Sequence, residues 1–157
     1  MPQLRVQSIE LPRETKRMLA TELTQTVVEA RRLRGFERDL TTVYFVRCAA
    51  DDVAIGGKLV ANGRAPDVEV EYRDHDLTSA DKRKLARRIT DTVARVLGLG
   101  GDQLMRISVL FLEYQTRDFA VGGTLLRHMW RGGLGRALRR MTTAIRRRRV
   151  LSARPGQ

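Results

Sequence analysis

The stretches DDVAIGGKLV (residues 51–60) and RDFAVGGTLL (residues 117–126) decide the fold, because they are nearly the same sequence occurring twice. Sliding the chain along itself by 66 residues aligns residues 11–60 with residues 77–126 without a gap, and 17 of the 50 aligned positions are identical. Agreement over so long an ungapped segment indicates an internal repeat. Because there are two copies, we predict a fusion of two similar structural units.

Both copies show the same order of local patterns. The segments LRVQSI (4–9) and VEVEYR (68–73) alternate in polarity, as half-buried strands do. A helix is predicted next, because apolar residues recur every four positions and therefore share one face. These residues are Leu19, Leu23 and Val27 in the first copy and Leu85, Ile89 and Val93 in the second. A second apolar strand follows in each copy, TVYFV (42–46) and ISVLFLEY (107–114).

The helix ends carry their own signals. Thr78 with Asp81 three residues later is close to a capping box and predicts the start of the second helix. Gly35 in the first copy and the glycines at 98, 100 and 101 in the second predict where the helices end. The closing Gly-Gly pairs predict tight turns.

Strand, helix and strand in this order form a βαβ unit, whose two strands lie parallel through a right-handed crossover. We therefore predict an α+β fold with a four-stranded sheet and two helices on one face. The predicted segments are a first unit (2–60), a linker (61–66), a second unit (67–126) and a C-terminal tail (127–157). A sheet with one uncovered face carrying apolar residues also predicts an oligomer.

Composition limits the possible classes of protein. The chain has 157 residues and a formal net charge of +12, but ten arginines and no acid follow Gly123, so that 20 basic side chains face 18 acidic ones before it. No apolar run is long enough to span a membrane, and no secretory signal is recognisable at the start. The single cysteine, Cys48, has no partner for an internal disulfide. We expect a cytoplasmic protein without a metal ion or an organic cofactor.

Two βαβ architectures fit the repeat. A ferredoxin-like fold has a similar order of elements, although its halves are seldom so alike and no convincing RNA-binding motif is present. The alternative rests on three features: "MP" opening the first strand, the βαβ unit, and the closing motifs VAIGGKL (53–59) and FAVGGTL (119–125). In these features residues 2–126 resemble the tautomerase superfamily, which includes 4-oxalocrotonate tautomerase and cis-3-chloroacrylic acid dehalogenase. The resemblance implies a homotrimer of fused units.

The resemblance also implies chemistry at Pro2. Removal of Met1 would leave Pro2 with a free secondary amine, and a neutral amine at pH 7 is a competent general base. It would move a proton between the enol and keto forms of a 2-hydroxy-dienoate or a 2-oxo acid. Pro66 lies inside the chain and cannot act in this way, and the repeat aligns Val68 with Pro2. An alternative keeps Pro2 cationic as an acid, for hydration or decarboxylation.

Arginines are expected to hold the substrate carboxylate. The resemblance implies Arg73 first, with Arg13 and Arg117 as further candidates; solvated loop positions remain an alternative for Arg13 and Arg117. His75 is interpreted as a surface turn residue rather than a catalytic one. Thr42, where the family has an arginine, departs from the pattern.

The resemblance also implies a wall for the pocket. Glu113 matches a glutamate that orients water in the dehalogenase, although a salt bridge to a neighbour is an alternative. Phe119 matches an aromatic residue that lines the tautomerase pocket, and Tyr114 is expected nearby.

The tail (127–157) lies beyond the resemblance. Its apolar residues recur every three or four positions, and RRRR occupies 146–149. A basic amphipathic segment of this kind either packs on the trimer with its arginines solvated or contacts an anionic membrane or nucleic acid. The last possibility also defines a non-enzymatic alternative, in which the trimer serves to bind these partners.

Overall fold

The structure is a computed structural model that describes residues 1–60 and 67–131. The predicted linker at 61–66 and the predicted tail from residue 132 onward lie outside the described residues. The chain divides into two compact units, Met1–Tyr114 and Gln115–Gln157. This division differs from the repeat boundaries, because both long helices and all four long strands belong to the first of the two compact units.

The larger compact unit contains one four-stranded sheet and two long helices. Its elements in chain order are β1 (Gln3–Ser8), α1 (Arg13–Arg31), α2 (Phe36–Asp39), β2 (Thr42–Arg47), β3 (Ala54–Ile55), β4 (Lys58–Leu59), β5 (Val68–Asp74), α3 (Ser79–Leu97) and β6 (Ile107–Glu113). Short 3-10 helices cover Ala50–Asp52 and Gly101–Arg106. The smaller unit contains β7 (Ala120–Val121), β8 (Thr124–Leu125) and α4 (Leu126–Arg131).

The sheet has the strand order β2-β1-β5-β6. Strand β1 is parallel to β2, β5 is parallel to β6, and the two βαβ units meet where β1 and β5 pair antiparallel. This confirms the predicted α+β fold and the four-stranded sheet formed by two repeated units.

The repeat appears in the structure as an approximate two-fold relation. Arg5 lies directly opposite Glu71 in the β1–β5 pair, and these two residues are 66 positions apart. Thr26 of α1 and Thr92 of α3, also 66 apart, share a hydrogen bond of 2.8 Å between their hydroxyls. The approximate two-fold axis therefore passes through the centre of the sheet and between the two long helices.

The core lies between the helices and one face of the sheet. The strand residues Leu4, Val6, Val70 and Tyr72 are fully buried, as are the helix residues at the predicted four-residue spacing. Burying one such aliphatic side chain contributes about 2 kcal/mol. The helices are consequently held mainly by their apolar faces.

The opposite face of the sheet is mixed in character. Its two central strands present polar side chains such as Arg5 and Glu71, whereas the outer strands present Tyr44 and Leu110, which are 51% and 44% exposed. Tyr44 and Leu110 are themselves repeat equivalents. The uncovered apolar surface thus lies on the two edges of this face.

The predicted ends of the helices are only partly confirmed. The Thr78–Asp81 capping box is present, and Gly98 ends α3 in a left-handed conformation. The assignment of Gly35 was wrong, because α1 ends at Arg31 and Arg32 takes the left-handed conformation with φ 56°. The bond from the Leu33 N–H to the Val28 carbonyl (2.9 Å) closes the helix there, with Leu33 packed against the core.

Both Gly-Gly pairs form the predicted tight turns. Gly56 and Gly57 have φ values of 58° and 76° between β3 and β4. Gly122 and Gly123, with 56° and 78°, connect β7 to β8 in the same way. Two successive positive φ values are typical of the type I′ hairpin turn, which explains why glycine occupies both positions.

We expect Thr78→Ala to lower the free energy of unfolding by about 1 kcal/mol, because the substitution removes the capping hydroxyl from α3. Chemical denaturation measures the change. The matched control is Thr21→Ala on the exposed surface of α1, whose hydroxyl only bonds back to the Arg17 carbonyl. Equal stability of the two variants would contradict a contribution from the cap.

Candidate functional site

The candidate site is the space around the N-terminus, at the start of β1. The hydrogen bond from the Thr42 N–H to the Pro2 carbonyl (3.2 Å) extends the β1–β2 pairing to Pro2, and Pro2 is buried. Because side chains alternate along a strand, Pro2 lies on the same helix-covered face as Leu4 and Val6. Strand β1 therefore places the N-terminal residue inside the protein rather than in solvent.

Tyr114 closes one side of this space. Its hydroxyl is 2.5 Å from the amine of Met1 and donates a hydrogen bond of 2.8 Å to the Met1 carbonyl oxygen. Tyr114, one of the predicted site residues, thus contacts the N-terminal residue. Burial raises the pKa of the Tyr114 hydroxyl, helped by the charge of Asp74, so this group remains a hydrogen-bond donor at neutral pH.

Asp74 faces the N-terminus from the end of β5. Its side chain is 3% exposed, and its Oδ1 is 3.5 Å from the Met1 amine. The other oxygen, Oδ2, accepts a hydrogen bond of 2.8 Å from the Tyr72 hydroxyl and is 3.3 Å from Nε of Arg31. One oxygen of the carboxylate is therefore held by the protein while the other points to the N-terminal residue.

Arg31, in the last turn of α1, links three groups. Besides Asp74, its guanidinium is 3.4 Å from the carboxylate of Asp81 and donates to the His75 carbonyl at 3.3 Å. It is mostly buried, with 17% of the side chain exposed. Arg31 is thus shared between two carboxylates and connects helix α1 to the end of β5.

His75 is buried, which corrects its interpretation as a surface turn residue. It is 8% exposed, and its ring meets the ring of Tyr114 edge to face with centroids 5.8 Å apart. Its Nδ1 is 2.9 Å from the Asp76 carboxylate. The His75 side chain lies in the interior because it packs against the aromatic ring of Tyr114.

The electrostatics of the amine result from two opposing effects. Burial lowers the pKa of the Met1 amine below its ordinary value of 8.0, and the Asp74 carboxylate opposes this change. Glu37 also favours the cation and Arg31 disfavours it. The lowered pKa increases the neutral fraction of the amine at pH 7.

The other predicted site residues do not surround the N-terminus in the larger unit. Arg73 lies on the opposite face of the sheet from Pro2 and bonds to Glu71 at 2.8 Å. Arg13 is exposed at the first residue of α1. Glu113 is exposed and forms an ion pair with Lys82, which lowers its pKa and matches the salt-bridge alternative.

Arg117 and Phe119 belong to the smaller compact unit. Arg117 is exposed, with its Nε 3.9 Å from the Asp118 carboxylate. Phe119 is partly buried, and its carbonyl accepts a hydrogen bond of 2.8 Å from the Leu126 N–H. Their predicted roles in substrate binding stay predictions.

Asp74 and Arg31 are not among the site residues predicted from the sequence, although the periodic patterns of β5 and α1 extend to both. The two-residue alternation of β5 continues from Val70 and Tyr72 to Asp74, which places this carboxylate on the buried face. The four-residue spacing of α1 continues from Val27 to Arg31. In both elements, a charged residue occupies the next position of an apolar series, and this indicates a buried charge.

Within residues 1–60 and 67–131, no group of three or more histidine, cysteine, aspartate or glutamate side chains is arranged to hold a metal ion. No helix in that part of the chain is long and apolar enough to cross a membrane.

We expect Arg31→Met to lower the free energy of unfolding by about 3 kcal/mol, because it leaves the buried Asp74 carboxylate without its cationic partner. Thermal or chemical denaturation measures the loss. Arg95→Met is the matched control, since Arg95 pairs with Glu22 on the exposed surface of the helices and such pairs contribute under about 1 kcal/mol. Similar losses for both variants would contradict a buried ion pair at Arg31.

Comparison with known proteins agrees with this architecture. The family described as "Tautomerase enzyme" matches residues 66–129, which contain the second βαβ unit. A sequence search of curated proteins finds no significant match.

Three solved structures share the fold over most of this chain. The native fused 4-OT is 22% identical, covers 82% of this chain and 98% of its own, and has a TM-score of 0.71. The protein N1, a member of the cis-3-chloroacrylic acid dehalogenase family, is also 22% identical, with coverages of 90% and 99% and a TM-score of 0.71. Pt0534, solved after inactivation by 2-oxo-3-pentynoate, is 15% identical, with coverages of 81% and 98% and a TM-score of 0.70. The second βαβ unit of this chain thus matches the tautomerase family, and both units together share the fold of the fused 4-OT and the N1 protein.

Proposed function

We propose that this protein catalyses proton transfer between the enol and keto forms of a small carboxylic acid, with the amine of Pro2 as the general base. The observation that carries the proposal is the placement of the N-terminus at the buried start of β1, between Tyr114 and Asp74. Removal of Met1 would transfer the free amine to Pro2 and empty the space that Met1 fills. That space would then receive the substrate.

The contacts of Met1 suggest how a substrate would bind. The Tyr114 hydroxyl donates to the Met1 carbonyl, so it would donate to a carbonyl or carboxylate oxygen of a substrate in the same place. A neutral amine beside that oxygen would take a proton from the enol hydroxyl or from an α-carbon and return it to another carbon. The substrate class is a 2-hydroxy-dienoate or a 2-oxo acid; the compound that inactivates Pt0534, 2-oxo-3-pentynoate, belongs to the latter.

The remaining parts of the site are proposed from the family pattern. Arg73, Arg13 and Arg117 are the proposed partners of the substrate carboxylate, with Glu113 and Phe119 at the pocket wall. Because Arg73 faces away from the Pro2 of its own chain, it would bind a substrate held by a neighbouring subunit of the proposed trimer. No cofactor is needed, since a neutral amine and a hydrogen-bond donor are sufficient for the proton transfer.

A second reaction class is favoured by one contact. The Asp74 carboxylate, 3.5 Å from the amine, favours an ammonium ion, and a cationic proline would act as an acid in hydration or decarboxylation. The pH dependence of kcat/KM separates the two reactions. Activity lost as pH falls indicates the base, and activity lost as pH rises indicates the acid.

We also propose a homotrimer. Fused 4-OT proteins of this fold have been solved as trimers, and Tyr44 and Leu110 leave apolar surface on the uncovered face of this sheet. Burying these side chains between subunits would remove that surface from water.

We expect Pro2→Ala to reduce the rate of ketonisation of phenylenolpyruvate and 2-hydroxymuconate by about 10²- to 10⁴-fold, the usual contribution of a general base. Absorbance follows the reaction, and mass spectrometry confirms that Met1 is absent. The protein carries no N-terminal tag, because a tag would convert the Pro2 amine into an amide. The control is Pro12→Ala, an exposed proline before α1. The variant replaces the secondary amine of proline by the primary amine of alanine, so equal rates for the wild type and Pro2→Ala would overturn the proposed role of the secondary amine.

We expect Tyr44→Glu and Leu110→Glu to convert a species of three 17.8 kDa chains into smaller ones, because each places a charge on the proposed interface. Light scattering after size-exclusion chromatography measures the mass. Met18→Glu, on the exposed side of α1, should leave the mass unchanged. A wild-type protein that is a monomer would contradict the trimer.

A further inference from the structure

The carboxylate of Asp74 has an arrangement that the general-base scheme does not require. A base in an apolar pocket would be neutral without assistance, yet here a side chain that is 3% exposed presents a negative charge to the amine. Burying an ionised carboxylate is costly unless hydrogen bonds and counter-charges compensate it. The compensating groups therefore indicate what the carboxylate does.

The two oxygens of Asp74 have different partners. Oδ2 is occupied by the Tyr72 hydroxyl at 2.8 Å and by Arg31 at 3.3 Å. Oδ1 is 3.5 Å from the N-terminal amine and 3.9 Å from Nε2 of His75. Tyr72 and Arg31 thus orient the Asp74 carboxylate through Oδ2, and Oδ1 faces the N-terminal residue.

The charges around Asp74 leave room for one more cation. The single guanidinium of Arg31 is shared between the carboxylates of Asp74 and Asp81. Asp81 is partly exposed, and the hydrogen bonds from Thr78 lower its pKa, so it remains an anion at neutral pH. These three groups carry a net negative charge, which an ammonium ion at the N-terminus would offset; Lys84 is a further cation that acts on Asp81.

The same carboxylate would serve the amine of Pro2 after removal of Met1. The antiparallel register pairs Gln3 with Arg73, so that the next residues outward, Pro2 and Asp74, are neighbours across the two strands. Both side chains are buried on the helix-covered face. The amine of the N-terminal residue therefore lies near Asp74 whether or not Met1 is present.

We propose that Asp74, held by Tyr72 and Arg31, is a positioning residue that orients the N-terminal amine and favours its cationic form. The proposal rests on the proposed function for its catalytic meaning, but the contact itself does not depend on turnover. Asp74 would limit how far burial shifts the amine toward the neutral form. It would thereby keep the amine able to both hold a proton and release it near neutral pH.

Other charged groups near the amine act in both directions. Glu37 of α2 favours the cation and Arg31 of α1 disfavours it. The His75 ring packs against Tyr114, whose hydroxyl contacts the Met1 amine. Asp74 is the carboxylate in direct contact with the amine within the described residues, so its removal should dominate the change.

The test is a direct titration of the amine. Protein labelled with 15N-proline and 15N-methionine reports the pKa of whichever N-terminal amine is present, without any substrate. We expect Asp74→Asn to lower this pKa by about 1, because the variant removes an opposite charge within a few ångströms. The acid limb of kcat/KM should move to lower pH by the same amount, since a base must be neutral to act.

Two further variants complete the test. Asp74→Ser introduces the residue that the first repeat carries at the equivalent position, Ser8, and provides a second variant where Asp74→Asn does not fold. Glu71→Gln removes a carboxylate of the same strand from the opposite face, where it pairs with Arg5 and Arg73, and should leave the amine unchanged.

The outcomes separate the two proposals. An unchanged or raised pKa in both Asp74 variants would overturn the positioning role, even in an enzyme whose activity depends on Pro2. A lowered pKa in a protein that ketonises neither substrate would support the contact between Asp74 and the amine while rejecting the proposed function. A similar decrease in Glu71→Gln would also overturn the inference, because it would show a general effect of charge.

Discussion

The antiparallel pairing of β1 with β5 is the interaction on which the rest of this structure depends. It joins the two βαβ units into one sheet, and Arg5 lies opposite Glu71 at the centre of the two-fold relation. The same pairing brings the start of the chain to the end of β5, where Asp74 is located and where Tyr114 lies beside it at the end of the neighbouring strand β6. The β1–β5 pairing therefore joins the two units and also brings the N-terminal residue to Asp74.

The two copies of the unit carry different residues at this place. Pro2 aligns with Val68, which cannot offer a free amine, and Ser8 aligns with the buried Asp74. One copy thus supplies the amine, and the other supplies the carboxylate and the tyrosine that face it. The family match covers the second copy alone; the first copy resembles the second in sequence through the repeat and has the same βαβ order of elements.

The fold was predictable because its determinants are periodic and local. Alternation identified β1 and β5, a spacing of four identified both helices, and the Gly-Gly pairs identified the turns. The end of α1 was not predictable in this way, because Arg32 adopts a left-handed conformation that usually indicates glycine. The packing of Leu33 against the core determines where this helix ends.

The site was less predictable because its members meet through tertiary contacts. Arg73 is next to Asp74 in sequence, yet adjacent strand residues point to opposite faces, so the two side chains lie on different sides of the sheet. His75 is buried by a contact with Tyr114, 39 residues later in the chain, which no local pattern reports. Expectations based on family likeness selected arginines, whereas the charge in contact with the amine is a carboxylate.

The shared use of β1 has a consequence for how errors in folding would appear. A slip of one residue in the β1–β5 register would move Gln3 to the position beside Asp74 and turn Leu4 and Val6 to the uncovered face. Such a chain would lose the amine from the site and expose core side chains in the same event. Misfolded copies would therefore be prone to aggregate, so that an error in this one strand pair would affect the N-terminal site and the solubility of the chain together.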